Sequence, residues 1–271
     1  MIECVVNVSE GRDHHLIGTI AAAGRPCLLD VHSDDHHNRS VITLGSADHA
    51  LLLDSTRQLC SRATSLLSLP GHAGVHPRIG VVDVVPFVPL EGSTLEEAIE
   101  LRDRFARWSA DELGVPCFLY GPERDLPTVR RGAFVDLIPD TGPSDPHPTA
   151  GAMAVGARPV LVAYNVWLDT SDLALARRIA RDARGPSLRA LGFPTGELVQ
   201  VSCNLIDPMT LGPATAYDTI SGLAAQAGAA VDRAELVGLL PRAVLAQIPA
   251  DRWAQLDLDD SRTIEYRLAR L

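Results

Sequence analysis

The sequence contains no lysine, and all 24 of its basic residues are arginine. This absence excludes a lysine Schiff base and a lysine nucleophile from any chemistry that the chain performs. Any cationic side chain that holds an anion must therefore be an arginine. The planar, multidentate guanidinium group of arginine is well suited to carboxylates.

Cysteine is also scarce. The five cysteines are scattered, odd in number and form no Cys-x-x-Cys pair. A disulfide framework and a zinc knuckle are therefore not expected. We expect most of these cysteines to be small buried residues with reduced thiols.

Long apolar runs and basic tracts are missing as well. No window of eighteen residues is uninterruptedly apolar, which predicts no membrane span. The N-terminus has neither a basic leader region nor a small-residue cleavage site, so we expect a cytoplasmic protein. The net charge is −10, which argues against nucleic acid as a partner.

The chain itself has the composition of a soluble globular protein, with 271 residues of which 46% are apolar. Apolar runs alternate with amphipathic segments, which indicates an α/β (α+β) protein. We expect two α/β-sandwich subdomains, residues 1–155 and 156–271, each a mostly antiparallel or mixed sheet covered by helices. The chain has no P-loop and no Gly-x-Gly-x-x-Gly motif, so a nucleotide site has no support.

The hydrophobic pattern places strands and helices along both halves. The predicted strands are 2–8, 27–31, 39–45, 79–88, 115–121, 160–168, 198–206 and a short one near 234–239. Predicted helices run from a cap at Ser9 to about Ala23, over 47–68, from Leu95 to Leu113, over 171–184 and 211–228, and after Pro241. The final segment, TIEYRLARL, fits a strand or a short helix.

A change of composition separates the two halves. Residues 139–151, PDTGPSDPHPTAG, contain four prolines and two glycines, which exclude regular secondary structure. The segment is either an exposed linker or an ordered loop beside a binding site, and the residues alone favour neither.

Histidines cluster in the first half, where eight of the nine lie. The spacing of His72 and His76 raises the possibility of a zinc site. Two histidines four residues apart share one face only in a helix, and Gly74 with Pro77 makes a helix improbable here. A metal site is therefore not expected.

General acid–base chemistry is a second interpretation of the same loop. An imidazole titrates near neutrality, so it can accept a proton and return it. Pro77 restricts the backbone of His76, and Arg78 could hold an anion. Asp83 lies in an apolar strand, where an unpaired carboxylate would be costly, so it should have a partner. A purely structural role for His76 and Asp83 stays open at this point.

The motif that carries these residues resembles a known family. His72–Pro89, HAGVHPRIGVVDVVPFVP, is similar to a motif of the glutamate formimidoyltransferases. The resemblance continues in order along nearly the whole chain. The other similar segments are ECVVNVSEGR (3–12), NRSVIT (38–43), GAMAVGARPVLVAYNVWL (151–168), QVSCNLID (200–207) and ELVGLLP (235–241).

The resemblance implies a fold, a reaction and a set of residues. The family fold is a pair of α/β subdomains that forms a homodimer, and the reaction moves a formimino group from N-formimino-glutamate to N5 of tetrahydrofolate in one-carbon metabolism and histidine degradation. It implies a catalytic role for His76. Tetrahydrofolate would be the co-substrate, without a metal ion. The implied substrate-binding residues are Arg39, Arg78, Arg158, His32, Asn38 and His72. The implied folate loop comprises Gly142, Pro143, Ser144, Asp145, Pro146, His147, Pro148, Thr149, Ala150 and Gly151.

Several positions depart from the family pattern. Val75 stands where the family usually has an acidic residue, and His32 replaces an aspartate. Pro146 and Ala150 occupy loop positions where better-known members carry aromatic residues, which commonly stack on a pterin ring. The chain is also expected to be a stand-alone transferase without a cyclodeaminase domain. The alternatives are a related one-carbon transferase with another donor, a non-catalytic folate- or anion-binding protein and, last, a metal-dependent hydrolase.

Overall fold

A computed structural model describes all residues, Met1–Leu271. The chain forms two compact units, Met1–Pro159, to which Leu271 also belongs, and Val160–Arg270. Each unit has its own hydrophobic core. None of the helices combines the length and the apolar character that a membrane crossing requires.

The first unit contains six strands and four α-helices. They are β1 (Ile2–Val8), α1 (His14–Ala22), β2 (Leu28–Asp34), β3 (Arg39–Ser46), α2 (His49–Leu66), β4 (Val82–Pro89), α3 (Leu95–Trp108), β5 (Cys117–Tyr120), α4 (Leu126–Gly132) and β6 (Met153–Ala157).

The six strands form one mixed sheet in the order β2-β3-β1-β4-β6-β5. Strand β6 runs parallel to both β4 and β5, and the other pairs are antiparallel. Apolar side chains of one sheet face pack against α1, α2 and α3 in the main core. Helix α4 packs on the opposite face, where Val129 joins Val84 and Phe118 in a smaller cluster.

A β-bulge interrupts β4 at Asp83. Val82 pairs with Val8, and Val84 pairs with Asn7, so Asp83 is an extra residue between two paired positions. A bulge redirects a side chain and is common beside active sites. This bulge places a carboxylate that is only 1% exposed within an otherwise apolar strand.

The second unit is simpler. It contains β7 (Val162–Leu168), α5 (Leu173–Ala183), β8 (Leu188–Thr195), β9 (Leu198–Leu205), α6 (Pro213–Gln226), β10 (Val231–Val237), α7 (Arg242–Leu245) and α8 (Ile264–Leu268). Its sheet is antiparallel throughout, in the order β10-β7-β9-β8. The two sheets, with their helices, confirm the predicted α/β sandwich class.

Three predictions about elements need correction or completion. Ser9 does not cap α1, because its hydroxyl donates to the carbonyl of Gly80 and Asp13 caps the helix instead. The helix predicted through Leu113 ends at Trp108, and a π-helical turn (Ser109–Leu113) follows it. The last segment, open between strand and helix, forms the short helix α8.

The five cysteines are free and buried, as expected from their spacing. Burial raises the pKa of Cys117 to about 11, so this thiol stays protonated and unreactive at neutral pH.

The backbone around Gly80 leaves no room for a side chain. A Cβ atom there would lie 2.0 Å from the carbonyl oxygen of Ala152, and a main-chain atom cannot move aside cheaply. We expect Gly80→Ala to lower the free energy of unfolding by about 1–3 kcal/mol, measured by chemical denaturation. The matched control is Gly18→Ala in the exposed part of α1, where a Cβ atom meets nothing within 4 Å. It should stabilise slightly, and equal stability of the two variants would contradict the prediction.

Candidate active site

Asp83 is the centre of a polar cluster in the first unit. One of its oxygens accepts from the backbone N–H of Ile79 at 2.8 Å. Both oxygens accept from Arg130, at 3.3 and 2.5 Å. Nη1 of Arg39 lies 3.4 Å from Oδ2 of Asp83. The expectation that this carboxylate has partners is therefore confirmed.

His76 lies beside this cluster with both ring nitrogens engaged. Its Nδ1 is 2.7 Å from the carbonyl oxygen of Pro77, and Nη1 of Arg39 is 2.8 Å from Nδ1 and 3.3 Å from Nε2. A carbonyl only accepts and a guanidinium only donates, so Nδ1 cannot satisfy both neighbours. A proton on Nδ1 would donate to Pro77 and leave Nε2 to accept from Arg39 at 3.3 Å, whereas a proton on Nε2 would leave Nδ1 to accept from Arg39 at 2.8 Å.

The surroundings favour a neutral imidazole. Burial, followed by the charges of Arg39 and Arg130, holds the pKa of His76 well below its ordinary value. The hydrogen bond to Pro77 opposes this shift without reversing it. His76 is therefore unprotonated at neutral pH and ready to accept a proton.

Arg39 keeps its charge in the same place. Burial lowers the pKa of its guanidinium to about 10, and Asp83 works against that decrease. Its Nε also donates to the side-chain oxygen of Asn7 at 3.3 Å, and this contact orients the guanidinium group. Since Arg39 begins β3 and Asn7 is near the end of β1, the sheet itself positions this cation.

Arg78 ties the histidine loop to the turn before β3. Its guanidinium donates to the carbonyls of His37, Asn38 and His76, at 2.9, 3.1 and 2.9 Å. Nη1 also lies 2.7 Å from Nδ1 of His72. Burial and the charge of Arg78 lower the pKa of His72, which favours the neutral, accepting ring. These contacts give Arg78 and His72 a role in holding the loop, and their contact with a substrate stays a prediction.

Asn38 and Gly74 complete the link between the two loops. Asn38 has a positive φ of 46°, accepts from the N–H of Gly11 and donates to the carbonyl of Ala73. A Cβ atom at Gly74 would lie 2.3 Å from the carbonyl oxygen of His37. The glycine in the histidine motif is therefore required by the close approach of two backbones.

Sequence reasoning missed Arg130. This residue lies on α4, a helix of seven residues that begins at the cap Asp125 with a proline in its first turn. An aspartate cap followed by proline is a helix-start signal that could have revealed α4. No local pattern, however, indicates that Arg130 contacts Asp83, which is 47 residues earlier in the chain.

The chain is similar in sequence to known formiminotransferases. Residues 1–158 match the model of the formiminotransferase domain, N-terminal subdomain. The chain is 35% identical to a glutamate formimidoyltransferase of Streptococcus pyogenes serotype M1, over 95% of this chain and 94% of that one. The chain belongs to the formiminotransferase family.

Two further relatives show the range of this family. A glutamate formimidoyltransferase of Thermoplasma acidophilum is 33% identical over 100% of this chain and 98% of its own. The formimidoyltransferase-cyclodeaminase of Sus scrofa is 34% identical over 92% of this chain but only 52% of its own. The predicted class of enzyme, a transferase of one-carbon groups, is confirmed by these family relations.

Within this formiminotransferase fold, His32 and Arg158 lie on or beside strands of the same sheet as Asp83. His32 on β2 pairs with Val41, which pairs with Asn7, so the three share one sheet face. Arg158 follows β6, and its N–H donates to Phe87, four residues along β4 from Asp83. That separation is about 13 Å of strand. The side chain of Arg158 reaches Tyr120, and the binding roles of both residues stay predictions.

Hydrogen bonds fix the C-terminal end of the proline-rich loop. His147 and Gly151 exchange backbone hydrogen bonds, and Nδ1 of His147 accepts from the N–H of Ala150 at 3.0 Å. The carbonyl of Ala150 accepts from Val81, and Ile79 accepts from Ala152. Residues 142–146, with Pro148 and Thr149, are exposed. The loop thus lies directly against the strand that leads into Asp83.

The buried carboxylate should be important for stability. Asp83→Asn removes the negative charge between two guanidinium groups and is expected to lower the free energy of unfolding by about 3–5 kcal/mol, measured by chemical denaturation. The control is Asp218→Asn in the exposed pair with Arg252, whose side chains are 58% and 29% exposed. Exposed pairs contribute at most about 1 kcal/mol. Similar losses in both variants would contradict the central role of Asp83.

Proposed function

We propose that this protein transfers the formimino group of N-formimino-L-glutamate to N5 of tetrahydrofolate, with His76 as general acid and base. The observation that carries the proposal is a buried, neutral imidazole beside a guanidinium group, with Nη1 of Arg39 2.8 Å from Nδ1 and 3.3 Å from Nε2 of His76. The curated relatives named glutamate formimidoyltransferase support this donor and this reaction.

The chemistry requires one proton to move between two nitrogens. N5 of the folate attacks the formimino carbon and forms a C–N bond, and Nε2 of His76 takes the proton that N5 loses. The tetrahedral intermediate then breaks its bond to the glutamate nitrogen, and the imidazolium returns the proton to that leaving nitrogen. One histidine serves both steps, and holding the two reactants together supplies much of the remaining acceleration.

Charge around the imidazole supports anionic substrates. Arg39 and Arg130 share the single carboxylate of Asp83, which leaves a net positive charge in a protein of net charge −10. Both proposed substrates are carboxylates, which guanidinium groups bind in a bidentate manner. Arg39 is the best-placed clamp, because it already contacts His76. The proposed steps use no metal ion.

The loop from Gly142 to Gly151 is proposed to contact the folate. Its hydrogen bonds to Val81 and Ile79 support this assignment, because they hold it beside the segment that carries the base. Its exposed half is rich in proline and has no aromatic residue, so pterin contact there would rely on main-chain groups and proline rings. Association into a homodimer stays a prediction.

A different donor is the second candidate function. Val75, next to the proposed base, is 40% exposed, and an apolar surface there favours a less polar donor than an acidic residue would. Turnover of another amidine or a formyl compound, without turnover of formiminoglutamate, would identify such a transferase. Tight folate binding in calorimetry without any transfer would instead identify a non-catalytic binding protein.

Removal of the imidazole tests the proposed base. Purified protein with formiminoglutamate and tetrahydrofolate should form 5-formimino-tetrahydrofolate, and His76→Ala should lower kcat by about 10²–10⁴-fold. The control His14→Ala changes an exposed histidine at the start of α1 and should keep full activity. An active wild type with an equally active His76→Ala variant would contradict the role of His76 as general acid and base.

A separate substitution tests the loop. His147→Ala removes the acceptor for the N–H groups of Ala150 and Thr149. One lost hydrogen bond is worth about 1 kcal/mol, so the KM for tetrahydrofolate should rise about fivefold to tenfold. The KM for formiminoglutamate should not change. His14→Ala, an exposed histidine outside the loop, is the control, and an equal rise for both substrates would count against a folate-specific role.

A further inference from the structure

A closed circuit of hydrogen bonds surrounds His76. Nδ1 of His76 and Nη1 of Arg130 both lie 2.7 Å from the carbonyl oxygen of Pro77. Arg130 then binds Asp83, Asp83 binds Arg39, and Nη1 of Arg39 lies 2.8 Å from Nδ1 and 3.3 Å from Nε2 of the imidazole. The ring is thus held at both nitrogens by groups that one carboxylate connects.

The Pro77 carbonyl contacts both the imidazole and Arg130. A carbonyl oxygen has two lone pairs, and here they accept from one imidazole and one guanidinium. Arg130 fixes the position of that oxygen, because its fork bridges Pro77 and Asp83. A peptide that could rotate away would release Nδ1–H and allow the proton to move to Nε2.

We propose that Arg130 is a positioning residue, which holds the Pro77 carbonyl so that His76 keeps its proton on Nδ1 and its lone pair on Nε2, which the substrate reaches by displacing Arg39. It acts through Pro77 and touches no substrate. The inference rests on the proposed function only where it names His76 as the base. The tautomer itself is a property of the unliganded protein and is measured without any reaction.

The acceptor differs from the one in a serine-protease triad, where an aspartate contacts the histidine directly. A carbonyl orients the ring without stabilising its charged form as strongly as a carboxylate would. Here the carboxylate of Asp83 does not contact the imidazole through this carbonyl directly; it binds Arg130, which in turn contacts Pro77. The geometry therefore orients the base and also keeps it uncharged.

Two variants separate geometry from charge. Arg130→Lys keeps a positive charge but cannot bridge Pro77 and Asp83 with a planar fork, whereas Arg130→Gln removes the charge as well. Arg131→Gln is the matched control on the same helix, since Arg131 is exposed and its Nη2 contacts Thr128. We expect kcat to fall about 10- to 100-fold in both Arg130 variants, with both KM values nearly unchanged in Arg130→Lys, which keeps the charge.

The pH profile of kcat/KM distinguishes the two variants further. The charged and titratable groups around the ring are Arg39 on β3, Asp83 on β4, Arg130 on α4, and His37 and Arg78 on the adjoining loops. Removing the positive charge of Arg130 raises the pKa of His76. The acid limb should therefore move to higher pH in Arg130→Gln and stay near its wild-type position in Arg130→Lys.

The decisive readout is the ring-nitrogen NMR spectrum of His76, assigned by difference with His76→Gln in ¹⁵N-histidine-labelled protein. Wild type and Arg131→Gln should show a protonated Nδ1 and an unprotonated Nε2, and both Arg130 variants should show a mixture of tautomers. A protonated Nε2 in wild type, or an unchanged spectrum in the folded Arg130 variants, would overturn the inference. The predicted spectra in a protein that transfers no formimino group would refute the proposed function and leave the positioning role intact.

Discussion

The carboxylate of Asp83 is the contact on which the rest of the site depends. It lies in an apolar strand at 1% exposure, and a bulge in β4 directs it toward two guanidinium groups and one backbone amide. Such a buried charge is tolerated only when its partners are fully assembled. Strand β3, helix α4 and the histidine loop must therefore all be in place together, because each supplies one of those partners.

The balance of charge around His76 is a second constraint on the site. Lysine is absent from this chain, and the cations around His76 are arginines, which remain protonated at any physiological pH. The imidazole is thus the neutral group of the cluster that can accept a proton. An anion that enters the cluster would offset the arginines and strengthen the imidazole as a base as the reactants bind.

Much of this arrangement follows from local sequence, and the remainder depends on pairing between distant segments. Strands β1, β3 and β4 were predictable from their apolar runs, and Pro77 and Gly74 correctly argued against a helical His-x-x-x-His site. Strand β6, in contrast, was missed because its small residues, MAVGA, carry weak strand propensity. Arg130 was missed because its importance comes from a contact across the sheet, which neither periodicity nor spacing encodes. The three loop carbonyls that Arg78 holds could likewise not be read from its residue type, and its role as an anion clamp stays a prediction.

The backbone from Ile79 to Val81 links two parts of the site that sequence separates by about 70 residues. The N–H of Ile79 holds Asp83, while the carbonyl of Ile79 and the N–H of Val81 hold Ala152 and Ala150. Backbone groups of one short segment therefore hold both the carboxylate and the proline-rich loop. Local opening of that loop cannot proceed far without loosening the support of Asp83, so the two regions should exchange their amide hydrogens as a single cooperative unit.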